Sequence, residues 1–125
     1  MQKISPAELK VMKYIWKKNK LVLSKEIVKA MELEYYWKAT TTFTVLKRLI
    51  NKGFLDSERV KRITYYEIII TEKAYLNFAT KQFLTEIHDG SLESLIESLL
   101  DTLSEKDIKK LCMYLTKLKN TLDFS

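Results

Sequence analysis

The chain has 125 residues, of which 46% are hydrophobic and 30% charged, with only two glycines and one proline. This length fits one compact domain, or a small domain with an appendage. So few turn-forming residues argue against an all-β sandwich or barrel, and the apolar fraction argues against a disordered chain. The single cysteine excludes an internal disulfide and a cysteine-built zinc site.

The distribution of charge and apolar residues narrows the partner class. No apolar run approaches the roughly 20 residues that cross a bilayer, and the N-terminus lacks the apolar core of a signal peptide, so we expect a soluble, cytoplasmic protein. Residues 1–73 hold sixteen Lys and Arg against eight Asp and Glu, whereas residues 74–125 hold six against eight. The net charge is therefore +8 for residues 1–73 and −2 for residues 74–125. This difference predicts that residues 1–73 bind a polyanion, although surplus lysine can also serve solubility alone.

Two amphipathic helices are predicted first. Ser5 and Pro6 begin the first helix, Glu8 is placed to complete a capping box, and the lysine run ending at Lys20 closes it. After a short extended stretch, Ser24 is expected to cap the second helix. Apolar residues recur at helical spacing along one side of each, so both helices should bury that side.

A third helix carries most of the functional argument. It spans about Ala39 to Lys52, with Thr40 as an alternative cap to Lys38, and Gly53 ends it in the left-handed conformation. One face repeats apolar residues at helical spacing and should pack on the first two helices. The opposite face is polar and contains Thr40, Thr41, Thr44, Lys47, Arg48 and Asn51, with Phe43 at its edge.

Two short strands are predicted next, at about residues 55–59 and 64–70. The second is rich in β-branched and aromatic residues, as strands usually are. Their connection, Val60-Lys61-Arg62-Ile63, lacks the Asn-Gly or Asp-Gly pair that signals a tight hairpin most clearly. We still predict a hairpin, which places the cations of Lys61 and Arg62 at its tip.

From Thr71 onward the pattern is helical, in three segments that each carry an apolar stripe. Asp89-Gly90 separates the first two segments, and Ser104 caps the last. Three short helices in a domain of about fifty residues cannot easily bury these stripes alone. We therefore expect a second copy of the chain to cover them in a symmetric dimer, with folding back onto the front domain as the alternative. The residues expected in the dimer contact are Leu76, Phe83, Leu92, Leu95, Leu99, Ile108, Leu111 and Leu115.

Three helices followed by two strands, with a polar third helix, is the order of a winged helix-turn-helix. In such a module the third helix enters the major groove of DNA, whose width of about 12 Å admits an α-helix. The predicted fold is therefore mainly α with a small β-hairpin: a winged helix-turn-helix at residues 1–72 and a helical dimerisation domain at residues 73–125. The residues expected to contact DNA are Lys38, Thr40, Thr41, Phe43, Thr44, Lys47, Arg48, Lys61 and Arg62.

Other interpretations of this surface stay open. A charged helix face is often simply solvated, and a winged helix can also serve as a protein-interaction module whose third helix contacts a partner instead of DNA. The aromatic residues of the front part are predicted to pack in the core and strands rather than to stack on bases. They are Trp16, Tyr35, Tyr36, Trp37, Tyr65 and Tyr66.

Two segments and a tyrosine pair carry a resemblance to a known family. They are Glu8 to Trp16, Trp37 to Phe54 and Tyr65-Tyr66. On these residues the chain resembles the penicillinase repressors and methicillin-resistance regulators, which have copper-responsive relatives. The resemblance implies a dimeric repressor with an N-terminal winged helix on operator DNA and a C-terminal helical dimerisation domain.

The resemblance also implies how repression is relieved. In the antibiotic-responsive members a membrane sensor protease triggers cleavage inside the dimerisation domain, which in this chain corresponds to the region of Ser98-Leu99. Operator affinity then falls, because the two DNA-binding heads are no longer linked. The Asn-Phe pair of the resistance regulators is absent here.

Base reading is assigned by the same resemblance to Thr41, Phe43 and Thr44. The family often carries a cation where Phe43 stands, and a phenylalanine offers no donor to a guanine edge. Phe43 should then either pack on a thymine methyl or tuck against its own domain. The operator need not match that of the resistance-gene repressors.

The sequence offers no motif for catalysis or metal binding. Copper-responsive relatives use paired Cys-x-Cys motifs, whereas Cys112 stands alone on an apolar helix face and is predicted to lie in the core. His88 is the single histidine and is predicted as a partly exposed residue at a helix end. Phosphate-binding loops, metalloprotease pairs and nucleophile elbows are absent from the sequence. We therefore expect a repressor that is not an enzyme and needs no cofactor, with operator DNA, a second copy of itself and a sensor protease as partners.

Overall fold

The computed structural model describes residues 1–122 and divides into two compact units, residues 1–80 and the residues from Lys81 onward. Its mainly helical composition with a small antiparallel sheet confirms the predicted fold class. The elements in chain order are α1 (Pro6–Lys18), β1 (Val22–Leu23), α2 (Ser24–Tyr35), α3 (Ala39–Asn51), β2 (Leu55–Val60), β3 (Ile63–Ile68), α4 (Glu72–Ile87), α5 (Leu92–Thr102) and α6 (Glu105–Leu122). Within residues 1–122, none of these helices combines the length and the apolar character that crossing a membrane requires.

The starts of α1 and α2 differ in how they are capped. At α1, Ser5 Oγ accepts a hydrogen bond from the Glu8 amide at 3.2 Å while Glu8 Oε1 accepts one from the Ser5 amide at 2.7 Å, which confirms the capping box. The prediction that Ser24 caps α2 is wrong, because Ser24 is the first helical residue. Leu23 holds the cap position, since its pairing with Tyr65 in the sheet keeps it extended up to the start of the helix.

The core of the first unit lies between the inner faces of α1, α2 and α3, the sheet and the first turns of α4. Tyr75 from α4 meets Phe54 edge-on with ring centroids 5.4 Å apart, and its hydroxyl accepts a hydrogen bond from the Ile4 amide at 3.1 Å. The start of α4 is thus part of this core. The largest fully buried apolar side chains are Met12, Ile15, Ile27, Met31, Leu46, Leu49 and Phe54.

The sheet has the strand order β1-β3-β2 and is antiparallel throughout. Val60 pairs with Ile63, so the hairpin between β2 and β3 has a two-residue turn formed by Lys61 and Arg62. Both turn residues have positive φ, 49° and 68°, as in a type I′ turn, whose twist suits a tight hairpin. The hairpin is confirmed even though its turn lacks the usual Asn and Gly.

The second strand of the hairpin ends two residues earlier than the sequence pattern predicts. β3 stops at Ile68, whereas the β-branched run continues through Ile69 and Ile70. The amides of Ile69 and Ile70 both turn to the carbonyl oxygen of Phe54 and leave the ladder. The carbonyl of Ile70 accepts a hydrogen bond from Trp16 Nε1 at 2.9 Å, which fixes the chain before α4 begins.

The second unit contains the end of α4 together with α5 and α6, and neither α5 nor α6 has a fully buried residue. Leu95, Leu99, Ile108 and Leu111 are half-buried, whereas Phe83, Leu92 and Leu115 are exposed. Leu76, the remaining residue of the predicted dimer contact, is also exposed but belongs to the first unit. Ser98 is exposed and stands beside half-buried Leu99 within α5.

Two sequence predictions about this unit are wrong. Cys112 is exposed rather than part of a core, because α6 buries no residue fully within its own chain. His88 is buried rather than partly exposed. Asp89 and Gly90 both have positive φ and reverse the chain, which brings Ser94 Oγ to 2.8 Å from His88 Nδ1.

The prediction that Ser104 caps α6 is confirmed by its 3.1 Å hydrogen bond from the Asp107 amide.

Candidate nucleic-acid interface

The inner side of α3 is held firmly in the core of the first unit. Its buried residues are Thr42, Val45, Leu46 and Leu49. At its end the Phe54 amide donates to the Leu49 carbonyl at 2.9 Å and the Gly53 amide donates to the Ile50 carbonyl at 3.0 Å, which forms a Schellman motif. Gly53 has φ of 79°, a conformation that glycine adopts without a Cβ penalty. These hydrogen bonds fix the C-terminal end of α3, so the outer side of this helix has a defined orientation.

A partly buried ion pair connects the end of α3 to the start of α1. Lys52 Nζ lies 2.6 Å from Glu8 Oε1, and only 1% of Glu8 is exposed. Burial alone raises the pKa of Glu8, but the hydrogen bonds from Lys52 and Ser5 outweigh it, so this pKa lies below its ordinary value of 4.5. From the sequence, Glu8 was predicted only as part of the capping box, because no local pattern connects it with Lys52, which is far away in the chain.

The outer side of α3 carries every side chain that the sequence assigned to it. Lys38, Thr40, Thr41, Phe43, Thr44, Lys47, Arg48 and Asn51 are all exposed. At about 100° per residue, Thr40, Thr44 and Lys47 follow one line along the helix, with Arg48 on one flank and Phe43 on the other. The structure thus brings hydroxyl groups, cations and one aromatic ring together on a single surface.

The first turn of α3 lacks a side-chain cap. Lys38 is the N-cap residue and makes no side-chain hydrogen bond there, so Thr40 does not cap the helix and its side chain points outward with the others. The Lys38 carbonyl accepts hydrogen bonds from the amides of Thr41 at 3.0 Å and Thr42 at 3.3 Å. Thr44 Oγ1 donates to the Thr40 carbonyl at 2.9 Å, so its hydroxyl oxygen faces outward mainly as an acceptor.

Phe43 takes the more exposed of its two predicted environments. Its side chain is 47% exposed and belongs neither to the buried core nor to the partly buried residues that pack on that core. This exposure favours the environment in which Phe43 can pack on a thymine methyl over the one in which it tucks against its own domain. The buried neighbour Thr42 occupies the inward position of this turn instead.

The hairpin turn between β2 and β3 presents a second group of cations. Lys61 and Arg62 are exposed at its tip, and Arg59 is exposed one residue before the end of β2. Arg59 was missed by the sequence analysis, although its place near the tip of a strand is a signal that could have found it. We call Arg59, Lys61 and Arg62 the wing cations.

Tyr36 is a second residue whose position the sequence pattern did not predict. Tyr36 ends α2 with φ of 59° and is 89% exposed, so the prediction that it packs with the other aromatic residues is wrong. Tyr35 and Trp37 pack on the core and on each other, with ring centroids 5.8 Å apart, which turns Tyr36 outward between them. Tyr36 lies at the turn that leads into α3.

Comparison with known proteins identifies the family. The family model described as penicillinase repressor matches residues 4–117. The penicillinase repressor of Bacillus licheniformis is 35% identical over 119 residues, which cover 94% of this chain and 92% of that protein. The methicillin resistance regulatory protein MecI of Staphylococcus aureus (strain N315) is 29% identical over 116 residues, covering 91% of this chain and 94% of that protein.

Two solved structures resemble part of this chain. The solution structure of the DNA binding domain of the repressor BlaI is 38% identical, with a TM-score of 0.53, and covers 60% of this chain and 94% of that chain. The monomeric form of BlaI from Bacillus licheniformis in complex with the blaP half-operator is also 38% identical, with a TM-score of 0.52, and covers 59% of this chain and 89% of that chain. With its winged helix-turn-helix and a family match over almost its whole length, the chain belongs to the penicillinase repressor family of transcriptional repressors.

Proposed function

We propose that this chain represses transcription by binding operator DNA as a homodimer, with α3 in the major groove and the wing cations on the neighbouring backbone. The observation that carries the proposal is the outward face of α3, which presents hydroxyl groups and cations while its opposite face is locked in the core. The solution structure of monomeric BlaI in complex with the blaP half-operator, 38% identical to this chain, supports operator DNA as the partner. Such a repressor works where the operator DNA is, which we take to be the cytoplasm.

Cations supply the affinity in this proposal. Lys38, Lys47 and Arg48 stand on or just before α3, and the wing cations extend the positive surface along the hairpin. Each cation that neutralises a phosphate releases a condensed counterion, so binding should weaken steeply as salt is added. Contacts of this type position the protein on the duplex but carry little sequence information.

Sequence preference would come from the side chains in the N-terminal half of α3, since this part of a docked helix reaches the base edges. The Thr44 hydroxyl donates to the Thr40 carbonyl, so its oxygen is best placed to accept from the amino group of adenine or cytosine. Thr41 is exposed and makes no such bond within residues 1–122, so it is able to donate as well as accept.

Dimerisation would involve the apolar faces of the second unit. Along α6, Ile108, Leu111, Leu115, Leu118 and Leu122 alternate spacings of three and four residues, which is the pattern of a coiled-coil seam. Leu92 on α5 and Leu115 on α6 are 64% and 52% exposed in the single chain. A second copy that covered these residues would also hold two DNA-binding units together on a two-part operator.

Relief of repression would follow from cleavage near Ser98-Leu99 by a membrane sensor protease, as the family resemblance implies. Ser98 is exposed on α5, which makes this part of the helix reachable. A protease binds its substrate in an extended conformation, so α5 has to open locally before the bond is cut. Once cut, the chain would lose the link between its two operator contacts, and the gain from bivalent binding would disappear.

The proposal is tested with a double variant on the outward face of α3. Thr44→Ala with Lys47→Ala removes a base contact and a phosphate contact, and we expect operator affinity to fall at least about tenfold. Neither side chain is buried, so the fold and the dimer should be unchanged. The matched control is Thr116→Ala with Lys117→Ala on α6, where both residues are also exposed and DNA affinity should stay the same.

The outcome of this test also separates the repressor from its competitor. Unchanged operator affinity in the α3 double variant would remove this helix from the DNA-reading surface. If the unmodified chain binds no duplex even at low salt, a winged-helix module that contacts another protein becomes the better interpretation.

A further inference from the structure

We infer that α3 reads the methyl group of a thymine through Phe43, so that each operator half-site carries a T·A pair facing this side chain. The inference rests on the proposed function and deepens it by assigning one base to Phe43. It also predicts a feature of the operator sequence itself.

The surroundings of Phe43 are what single it out. Isolated apolar side chains are common on protein surfaces and need no explanation. Phe43, however, is the one large apolar side chain on the outward face of α3, where Thr40 and Lys47 flank it one turn away in either direction. No residue within 1–122 forms an aromatic pair with it, and it lies outside the core.

The position of Phe43 along the helix favours a base over the backbone. It is the fifth residue of α3, counted from Ala39, and therefore belongs to the N-terminal half that reaches base edges in docked helix-turn-helix modules. The nearest cation on the same side, Lys47, lies one turn further along and is suited to the phosphate at the groove edge. An apolar ring against phosphate would gain nothing from burial.

The chemistry of the major groove then selects one base. Guanine and adenine present polar atoms there, and a ring packed against them would remove their water without replacing the hydrogen bonds. Cytosine presents an amino group. Thymine alone presents a methyl group, and burying one methyl-sized group against an apolar surface strengthens binding by about fourfold per site.

The test uses the full chain and an operator obtained by selecting bound fragments from random duplex. Each thymine is replaced in turn by deoxyuridine, which removes only the methyl group. At one thymine per half-site we expect about fourfold weaker binding by the unmodified chain and no change for Phe43→Ala. At the same position, 5-methylcytosine should bind more tightly than cytosine, because it restores the methyl group with the other hydrogen-bonding groups unchanged.

Thr41→Ala serves as the matched control, because it removes another methyl-bearing side chain from the same face. The Thr41→Ala variant should keep the deoxyuridine effect at the Phe43 position. If every deoxyuridine substitution affects the unmodified chain and Phe43→Ala equally, Phe43 does not read a thymine methyl, although tight operator binding would leave the repressor proposal intact. Failure to select any duplex would instead overturn the repressor proposal.

Discussion

Lys52 at the end of α3 and Glu8 at the start of α1 form an ion pair with 2.6 Å between Nζ and Oε1. The same carboxylate accepts the Ser5 amide, so a single buried side chain both caps α1 and holds the C-terminal end of α3. The outward face of α3 ends at Asn51, directly before Lys52, so this pair holds the C-terminal end of the helix that carries the proposed DNA contacts. We therefore expect a change at this pair to lower the stability of the unit that positions α3.

The first prediction concerns the stability supplied by this pair. Glu8→Gln keeps the size of the side chain but removes its charge, and hydrogen bonds to charged groups contribute about 1.5–3 kcal/mol, so we expect a loss of that order in the free energy of unfolding. Urea denaturation measures it through the midpoint at constant slope. The control is Glu72→Gln, which breaks the exposed pair with Lys13 and should cost less than about 1 kcal/mol. Equal losses of unfolding free energy in the two variants would contradict a larger structural contribution from the partly buried Glu8–Lys52 pair.

The second prediction is a pH dependence with a defined sign. The pKa of Glu8 is lower in the folded chain than its ordinary value of 4.5, so the folded state binds this proton less readily than the unfolded state. The stabilisation is therefore complete above about pH 4.5 and is lost as the pH falls through the folded-state pKa. Unfolding measured between pH 3 and 7 should show this component in the unmodified chain, and Glu8→Gln should lack it. The same acid dependence in both proteins would assign it to other carboxylates.

Helical spacing and capping signals predicted most of the fold from local sequence. The capping box of Ser5 and Glu8, the end of α3 at Gly53 and the hairpin were all predicted because each depends on residues close together in the chain. The Glu8–Lys52 pair was not, because it depends on packing between distant helices. The cap of α2 was misassigned since tertiary pairing of Leu23, rather than the propensity of Ser24, fixes that boundary.

The candidate site was predictable for a similar reason. A helix that buries one face leaves the opposite residues outside, so periodicity alone assigned Thr40, Thr44 and Lys47 to the surface. Cys112 was predicted wrongly because an apolar stripe on a helix does not show whether the same chain covers it. His88 was predicted wrongly because the chain reversal after it brings Ser94 against its ring, which the local sequence pattern does not reveal.

The third prediction concerns the hairpin turn, where two cationic residues occupy strained backbone conformations. Lys61 and Arg62 both adopt left-handed backbone conformations that cost a residue with a Cβ about 1 kcal/mol each. Replacing them by Asn and Gly, the residues that prefer a type I′ turn, should raise the free energy of unfolding by about 1 kcal/mol. DNA affinity should fall at the same time because two cations are lost. Removal of two exposed lysines of the second unit, Lys106 and Lys110, is the control and should leave DNA affinity unchanged. If the variant is more stable but binds DNA with unchanged affinity, Lys61 and Arg62 do not contact the DNA backbone.

The fourth prediction tests the proposed seam on α6. Leu115→Asp places a charge where a second copy should cover the helix, and an unpaired buried charge is strongly unfavourable, so we expect monomers in sedimentation experiments. Met113→Asp is the matched control, because Met113 is 73% exposed and faces away from the Ile108-Leu111-Leu115 line. If both variants sediment alike, the dimer contact lies elsewhere or does not exist.

The fifth prediction is that a cut between Ser98 and Leu99 lowers operator affinity, whichever protease makes it. A recognition sequence for a site-specific protease is inserted between Ser98 and Leu99, and operator affinity is measured before and after cutting. Loss of bivalent binding should weaken affinity by about 100-fold or more, while the first unit remains folded. Retention of full affinity after complete cutting would contradict relief of repression by a cut at this position.

The most direct measurement of the central claim is the salt dependence of binding to double-stranded DNA by the unmodified chain. Each phosphate contact contributes about −0.9 to the slope of log affinity against log salt. We predict a steep negative slope that becomes shallower by about 0.9 for each contact removed when Lys47, Lys61 or Arg62 is replaced by Ala. A slope near zero, or one that these substitutions leave unchanged, would contradict a DNA-binding role for this surface.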